Sequence, residues 1–155
     1  MCRKGGNVDE RTETLLLITQ LFNSQHLSVV ATQNRGQPHQ SLVAFMHRDE
    51  LRHLFFATSR STRKYEYIRR DDRVCVLVDN RLNRDADFHS AVTVSAYGRA
   101  SEVEKTEDLI QEYLEKFPYL EDFVTAPTCA LMKISVEKYI IVRRFQNVTE
   151  VDIDS

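Results

Sequence analysis

The stretch ATSRSTRKYEYIRR, residues 57–70, gathers hydroxyl and basic side chains in a pattern typical of an anion-binding site. Its spacing predicts a short helix over 62–70 with Arg63 and Lys64 in the first turn. A helix N-terminus carries partial positive charge, so acidic side chains are favoured there and cations are not. Two cations at that end become favourable when an anion binds beside them, because free amides, hydroxyls and charges then converge on it. The sequence therefore predicts a phosphate site formed by Arg63 and Lys64 with the hydroxyls of Thr58, Ser59, Ser61 and Thr62.

Two other interpretations fit the same residues. One is a solvated, Arg-rich surface helix, since Arg60, Arg69 and Arg70 add to the charge. The other is a basic helix that binds nucleic acid. The lack of an aromatic platform and the overall charge argue against this interpretation. Lysine and arginine number 21 against 23 acidic residues, a formal charge of -2, so we expect no nucleic-acid partner.

The other two predicted helices provide an internal comparison. Each opens with acidic residues, Asp9 with Glu10 in one and Glu107 with Asp108 in the other, as the helix dipole prefers. Only the middle helix opens with cations. This contrast favours the phosphate interpretation.

The remaining reactive side chains form no catalytic or metal-binding pattern. Cys2, Cys75 and Cys129 lie far apart without a C-x-x-C pair, and the five histidines lack ligand spacing. We therefore predict no metal site and assign no catalytic residue. Cysteine usage and the lack of any apolar run of about 20 residues predict a soluble, cytoplasmic protein without a membrane partner.

The elements that position these residues follow from the hydrophobic period. We predict one domain over residues 1–155, with residues 1–8 as a flexible arm. Helical spacing covers 9–24, 62–70 and 106–117; strands are predicted at 27–32, 39–46, 51–57, 74–78, 91–100, 130–134 and 139–145. Val74–Val78 is apolar throughout, as expected for a strand covered on both faces.

The order of these elements predicts the fold class. Short polar turns join the first three strands, so they should pair antiparallel, and the lack of crossover helices argues against a Rossmann fold. We expect a mainly β protein with peripheral helices, built as a small, six- to seven-stranded antiparallel barrel.

The segment LFFATSRSTRKYEYIRRDDRVCVLVDN resembles the FMN-binding split β-barrel proteins, the pyridoxamine 5'-phosphate oxidase-like group. In that family a strand ends in Thr, a Ser/Arg/Lys segment opens a helix, and an NPRV-like segment leads into an apolar strand. Here that segment is Asp71-Asp72-Arg73-Val74, without the proline. GQPHQSLVAF and AVTVSAYGRASEVE resemble further strands of the family, and the resemblance covers residues 12–145.

The resemblance implies roles for particular residues. Arg63 and Lys64 would hold the FMN phosphate, with Ala57, Thr58 and Ser59 beside them. Ser41, Leu42 and Val43 would line the isoalloxazine edge, and Asn80 and Thr93 would make further cofactor contacts. It also implies a homodimer with the flavin at the subunit interface. Among the histidines, His39 has a route to this site, although an exposed strand histidine is the simpler interpretation.

The function implied is that of an FMN-dependent oxidoreductase, passing hydride or electrons to or from a small molecule through flavin N5. Pyridoxamine 5'-phosphate oxidases carry a C-terminal motif with Trp and Arg, whereas this chain has no Trp and continues as RRFQNVTE over 143–150. We therefore do not expect the vitamin activity. Two alternatives stay open: a non-catalytic FMN-binding store or sensor, and the same barrel binding haem or a deazaflavin.

Overall fold

The computed structural model describes residues 8–154, which form seven strands and five α-helices. The strands are β1 Leu27–Asn34, β2 Gln37–Arg48, β3 His53–Ser59, β4 Arg73–Asp79, β5 Val92–Val103, β6 Cys129–Arg143 and β7 Asn147–Asp152. The helices are α1 Val8–Ser24, α2 Arg63–Arg70, α3 Asp87–Ser90, α4 Glu107–Lys116 and α5 Glu121–Thr125, with a 3-10 turn at Pro118–Leu120. Apart from Val8, the predicted arm lies outside the described residues.

Six of the strands close into an antiparallel barrel. The sheet order is β3-β2-β1-β4-β5-β6, and β3 also pairs with β6, so the sheet closes on itself. β7 extends the sheet on the far side of β6. This confirms the predicted mainly β split barrel with peripheral helices.

The barrel interior is filled by alternate residues of the strands and closed by two helices. On β4, Val74, Val76 and Val78 face the interior and are buried. α1 contributes Ile18 and Phe22 to this core, and α2 contributes Tyr65 and Ile68. The 3.6-residue spacing of these apolar positions is what fixes each helix across the barrel.

A second hydrophobic cluster lies on the outer side of β2, β3 and β6. α4 buries Leu109, Tyr113 and Phe117 against these strands, while α5 adds Val124. Because both of its faces are covered, β3 is buried at five consecutive positions, Leu54–Thr58. The helix pair thus fixes the outer side of the sheet where β2 meets β3.

The barrel is split between β2 and β3. Their ladder contains only the pairs from Arg48↔His53 to Phe45↔Phe56. Beyond Phe45, β2 continues with β1 alone as far as Gln37. Beyond Phe56, β3 continues with β6 alone as far as Ser59. The diverging ends form an opening, which we call the split.

Several predicted boundaries were wrong. The two strands predicted at 130–134 and 139–145 are one strand, β6, and the true last strand is β7. β3 begins at His53, because Leu51 lies in a turn with φ 70°. In a single chain, β4 is not covered on both faces: Cys75 and Leu77 point outward and are only half-buried.

Candidate functional site

The first turn of α2 is built by a network of hydroxyl groups. Thr62 caps the helix, and its Oγ1 accepts the Tyr65 backbone N–H at 3.4 Å. The same hydroxyl lies 3.0 Å from Thr58 Oγ1, while Ser59 Oγ lies 2.9 Å from Ser61 Oγ. A helix gives its first amides no internal acceptor, so the N–H groups of Arg63 and Lys64 remain available to a ligand.

Two adjacent cations stand at this turn without an acidic partner in the described part of the chain. Lys64 is half-buried, and its Nζ donates to Thr58 Oγ1 at 3.4 Å; burial lowers the pKa of its ammonium. Arg63 is exposed, and its side chain makes no hydrogen bond or ion pair with residues 8–154. The other arginines between 60 and 73 contact a carboxylate or a ring: Arg60 with Glu102, Arg69 over Tyr65, Arg70 with Glu66 and Arg73 with Asp71. Arg63 and Lys64 are therefore the cations of this segment that an anion would complete.

The start of α2 is anchored to β5 through Glu102. Arg60 Nε donates to Glu102 Oε1 at 3.0 Å, and the Tyr65 hydroxyl donates to Oε2 at 2.6 Å. The Tyr65 hydrogen bond, followed by the one from Arg60, lowers the pKa of Glu102. The anchor holds the 59–65 segment in place, and no spacing in the sequence predicts it.

The split exposes the backbone edge of β2. Phe45 N–H bonds to His26 O at 3.3 Å, on the β1 side. Polar backbone groups alternate sides along a strand, so those of Leu42 and Gln40 point toward the split. Across the opening, the Ser59 carbonyl is occupied by the Thr62 amide and hydroxyl, at 3.2 and 2.9 Å. Among residues 8–154 the Leu42 edge consequently has no ladder partner on that side.

The structure brings together most of the predicted cofactor residues. Continuing the β2–β3 register would set Ala44 opposite Ala57 and Val43 opposite Thr58. The segments 41–43 and 57–59 therefore flank the split, with Arg63 and Lys64 directly after the second one. Leu42 points outward and is 66% exposed, whereas Val43 packs into the core and the buried Ser41 hydroxyl has no partner among residues 8–154.

Asn80 and Thr93 lie at the other end of the barrel in the same chain. Ser59 pairs with Cys129 of β6, and Thr93 pairs with Val142 of the same strand. Cys129 and Val142 are about 40 Å apart along β6. Asn80 Oδ1 accepts the Val92 N–H at 2.8 Å and so closes its own loop. One chain alone therefore does not join these two residues to the split.

Other candidate groups are sparse around the split. His39, on β2, packs its ring edge-on against Tyr67 of α2, with centroids 5.6 Å apart. Within residues 8–154 no group of three or more His, Cys, Asp or Glu side chains is placed to hold a metal ion. Over the same range, no helix is both long and apolar enough to cross a membrane.

Comparison with known proteins adds a sequence family and a set of similar folds. The family model for pyridoxamine 5'-phosphate oxidase matches residues 17–148. None of the curated proteins compared with the chain matches it.

Three solved structures illustrate the structural likeness. General Stress Protein 26 from Bacillus anthracis is 21% identical with a TM-score of 0.72, over 91% of this chain and 99% of that one. An FAD-binding protein from Mesorhizobium loti is 22% identical with a TM-score of 0.65, over 81% and 90%. A haem-binding protein from Mycobacterium smegmatis is 12% identical with a TM-score of 0.73, over 86% of this chain but only 56% of that one. At these identities the likeness establishes the fold.

Proposed function

Because the chain belongs to the pyridoxamine 5'-phosphate oxidase family, we propose that its split binds FMN and that the protein is an FMN-dependent oxidoreductase of a small molecule. The observation that carries the proposal is the pair of cations without acidic partners at the N-terminus of α2, beside an unpaired strand edge. A flavin nucleotide has a phosphate and a flat ring with hydrogen-bonding groups, and these two features match the two parts of the site.

The residues at α2 fit the phosphate. Arg63 would pair with two phosphate oxygens through its planar guanidinium, and Lys64 would add a point charge from its half-buried position. The free amides of the first turn point at the same place, where the helix dipole favours an anion. Thr58 and Ser59 would shape this site through their hydroxyl network rather than by carrying charge.

The β2 edge fits the ring. Backbone N–H and C=O groups of Gln40 and Leu42 would hydrogen-bond the polar side of the isoalloxazine, and the exposed Leu42 side chain would cover part of its apolar surface. FMN supplies hydride or electron transfer through N5 when bound. The chain's own contribution is to hold, orient and shield the cofactor; no side chain at the split is assigned as acid or base.

The phosphate contact is tested by Arg63→Ala. We expect FMN affinity to fall by about 1.5–3 kcal/mol, the range for a hydrogen bond to a charged group, in a titration of flavin fluorescence. Riboflavin, which lacks the phosphate, should bind wild type and variant equally. Arg70→Ala is the matched control. Arg70 lies at the C-terminal end of the same helix, away from the phosphate site, and pairs with Glu66. Equal FMN affinity in Arg63→Ala and wild type would refute the phosphate role.

We also propose that the protein works as a homodimer with the flavin at the subunit interface. The outward side chains of β2, β1 and β4 form an apolar row, Leu42–Val29–Leu77, that begins at the split. A second copy covering this row would lie against the bound ring. Asn80 and Thr93, remote from the split in one chain, would then be available to the site of the other copy.

Haem is the second candidate for the same opening. It is favoured by the haem-binding structural neighbour and by His39 at the edge of the split. The absorption spectrum of the purified protein separates the two: a flavin gives a yellow protein, and haem gives a Soret band. Mass spectrometry of the released chromophore distinguishes FMN from a deazaflavin, and anaerobic mixing with NADH or NADPH distinguishes an enzyme from a flavin store.

A further inference from the structure

We infer that Glu102 of β5 is a positioning residue for the phosphate site, because it holds the first turn of α2 so that Arg63 and Lys64 meet the same anion. The inference rests on the proposed function, which assigns this turn to the phosphate of FMN. The role of Glu102 is indirect: it fixes the residues that would bind the phosphate.

The two carboxylate oxygens of Glu102 hold the turn on both sides of its cations. Arg60 comes before Arg63, and its Nε and Nη2 both donate to Oε1, at 3.0 and 2.5 Å. Tyr65 follows Lys64, and its hydroxyl donates to Oε2 at 2.6 Å. Hydrogen bonds to an ionised group are shorter and stronger than those between neutral groups. One carboxylate thus closes the segment across the two residues proposed to bind phosphate.

Both partners of the ion pair are fixed to the barrel by further bonds. Glu102 pairs with Met132 of β6 near the end of the β5–β6 ladder. The backbone N–H of Arg60 donates to Thr128 O at 3.0 Å, and its Nη1 donates to Pro127 O at 2.6 Å. Arg60 therefore connects the start of α2 to β5 and to the segment that leads into β6.

The segment that leads into β6 is held in turn by Lys105. Its Nζ donates to the carbonyls of Val124, Ala126 and Cys129, at 3.2, 2.9 and 2.9 Å. Three carbonyls bonded to one ammonium leave this segment little freedom to move. The anchor of the phosphate turn thus has a rigid base.

Two effects of the Glu102 charge oppose each other, so the sign of its effect on FMN affinity tests the inference. As a nearby negative charge, Glu102 disfavours an anion at the turn, and removing it would tighten binding. As the group that orders the turn, it reduces the entropy lost when a ligand fixes Arg63 and Lys64, and removing it would weaken binding. The Arg60 side chain is 40% exposed and stays bonded to Pro127 O, so solvent screens its freed charge. We therefore expect the ordering effect to dominate.

The experiment replaces Glu102 with Gln, which keeps the shape of the side chain and removes its charge. The amide has one acceptor oxygen where the carboxylate has two, so the bonds from Arg60 and Tyr65 cannot both be kept as they are. We expect FMN to bind about three- to tenfold more weakly, the size for losing a partly exposed bond to a charged group, and riboflavin to bind as in wild type. Tyr65→Phe removes one bond without changing the charge and should weaken FMN by a smaller factor.

Asp72→Asn is the matched control. Asp72 Oδ1 accepts from Arg99 Nη1 at 2.7 Å, so this carboxylate also joins β5 to the region of α2, but beyond the C-terminal end of the helix. Both flavin affinities should stay at the wild-type value. FMN affinity in Glu102→Gln equal to or above that of the wild type would overturn the inference and leave the proposed function intact. An equal loss for FMN and riboflavin would also overturn it, since that result indicates general damage to the fold.

A second readout does not require flavin. The first backbone bond of α2 runs from Glu66 N–H to Thr62 O at 3.3 Å. In ligand-free protein this amide should exchange with solvent faster in Glu102→Gln and Tyr65→Phe than in wild type, and at the wild-type rate in Asp72→Asn. A wild type that binds no FMN would refute the proposed function, and the exchange rates would still decide whether Glu102 orders the turn. Unchanged exchange in Glu102→Gln would overturn that role.

Discussion

Two half-buried lysines that pair with no carboxylate among residues 8–154 show how differently a cation can be accommodated in this chain. Lys116 is satisfied by its own fold: its Nζ bonds two carbonyls and lies 4.3 Å from the centroid of the Phe45 ring. Lys64 has only the Thr58 hydroxyl at 3.4 Å among residues 8–154. Burying a charge is costly unless it is well paired. The first lysine therefore serves the fold, and the second is the one that the proposed phosphate would pair with.

Lys116 should make the free energy of unfolding vary with pH in the alkaline range. Burial lowers its pKa to about 8 in the folded state, against about 10.4 for an unfolded lysine. Between these values the unfolded chain binds more protons, so the free energy of unfolding should rise with pH. In urea unfolding, we expect the free energy of unfolding of the wild type, relative to that of Lys116→Met, to increase from about pH 8 to about pH 10. The variant cannot titrate at this site, and all other groups are shared. A difference that shrinks as pH rises would contradict the prediction.

At the scale of residues, the sequence predicted the features that depend on residues close together in the chain. The rule for charges at a helix end is local, so Arg63 and Lys64 could be singled out from the first turn of α2 alone. Glu102 could not, because Arg60 and its carboxylate are 42 residues apart. Tyr113 lay inside the predicted helix 106–117 with no role assigned to it; the presence of Tyr rather than Phe was the one signal of its buried hydrogen bond to Ala44 O.

At the scale of elements, two helices define the split from opposite sides. α2 places its cations at one end of the opening, and the Tyr113 hydroxyl of α4 donates to Ala44 O where the β2–β3 ladder stops. β6 and β1 hold the diverging strands in register on their other edges. Each diverging strand thus stays paired along its other edge, so the opening is a defined gap between β2 and β3 rather than a frayed end.

The β5–β6 ladder depends on one glycine. The register shifts between Tyr97 and Gly98, and a Cβ on Gly98 would overlap the backbone carbonyl of Ser135. Gly98→Ala should therefore lower the free energy of unfolding by about 2–3 kcal/mol, the upper part of the range for overpacking. The midpoint of chemical denaturation measures this. Ser101→Ala, at an exposed position of the same strand, should change it little, and equal midpoints for the two variants would contradict the steric argument.

The strands were predicted well where alternation is local and poorly where pairing is long-range. β1 to β5 follow their apolar periods within a few residues. Ser135–Lys138 contains two charged side chains, which predict a break between two strands, yet β5 pairs through it with a register shift at Gly98. β7 is mostly polar, and its pairing with β6 is what makes it a strand. Backbone pairing between distant segments leaves no short-range signal in such residues.

At the scale of the whole molecule, one face of the barrel is more apolar than a solvated sheet requires. Leu42, Val29 and Leu77 lie in one row across β2, β1 and β4, and Ala31 and Cys75 form the row beside it. The sequence expectation that β4 is covered on both faces does not hold in one chain. It would hold in a dimer formed through this face, since contiguous exposed apolar surface commonly marks an interaction site.

The dimer is tested by placing a charge in the middle of that face. Leu77→Glu should convert a dimeric wild type into a monomer in sedimentation equilibrium, because an unpaired buried carboxylate is costly at an interface. FMN affinity should fall in parallel, since the second copy would no longer cover the ring or contribute Asn80 and Thr93. Leu16→Glu, on the exposed side of α1, adds the same charge away from this face and should leave both properties unchanged. A wild type that binds FMN as a monomer, or a Leu77→Glu variant that stays dimeric, would rule out this face as the interface.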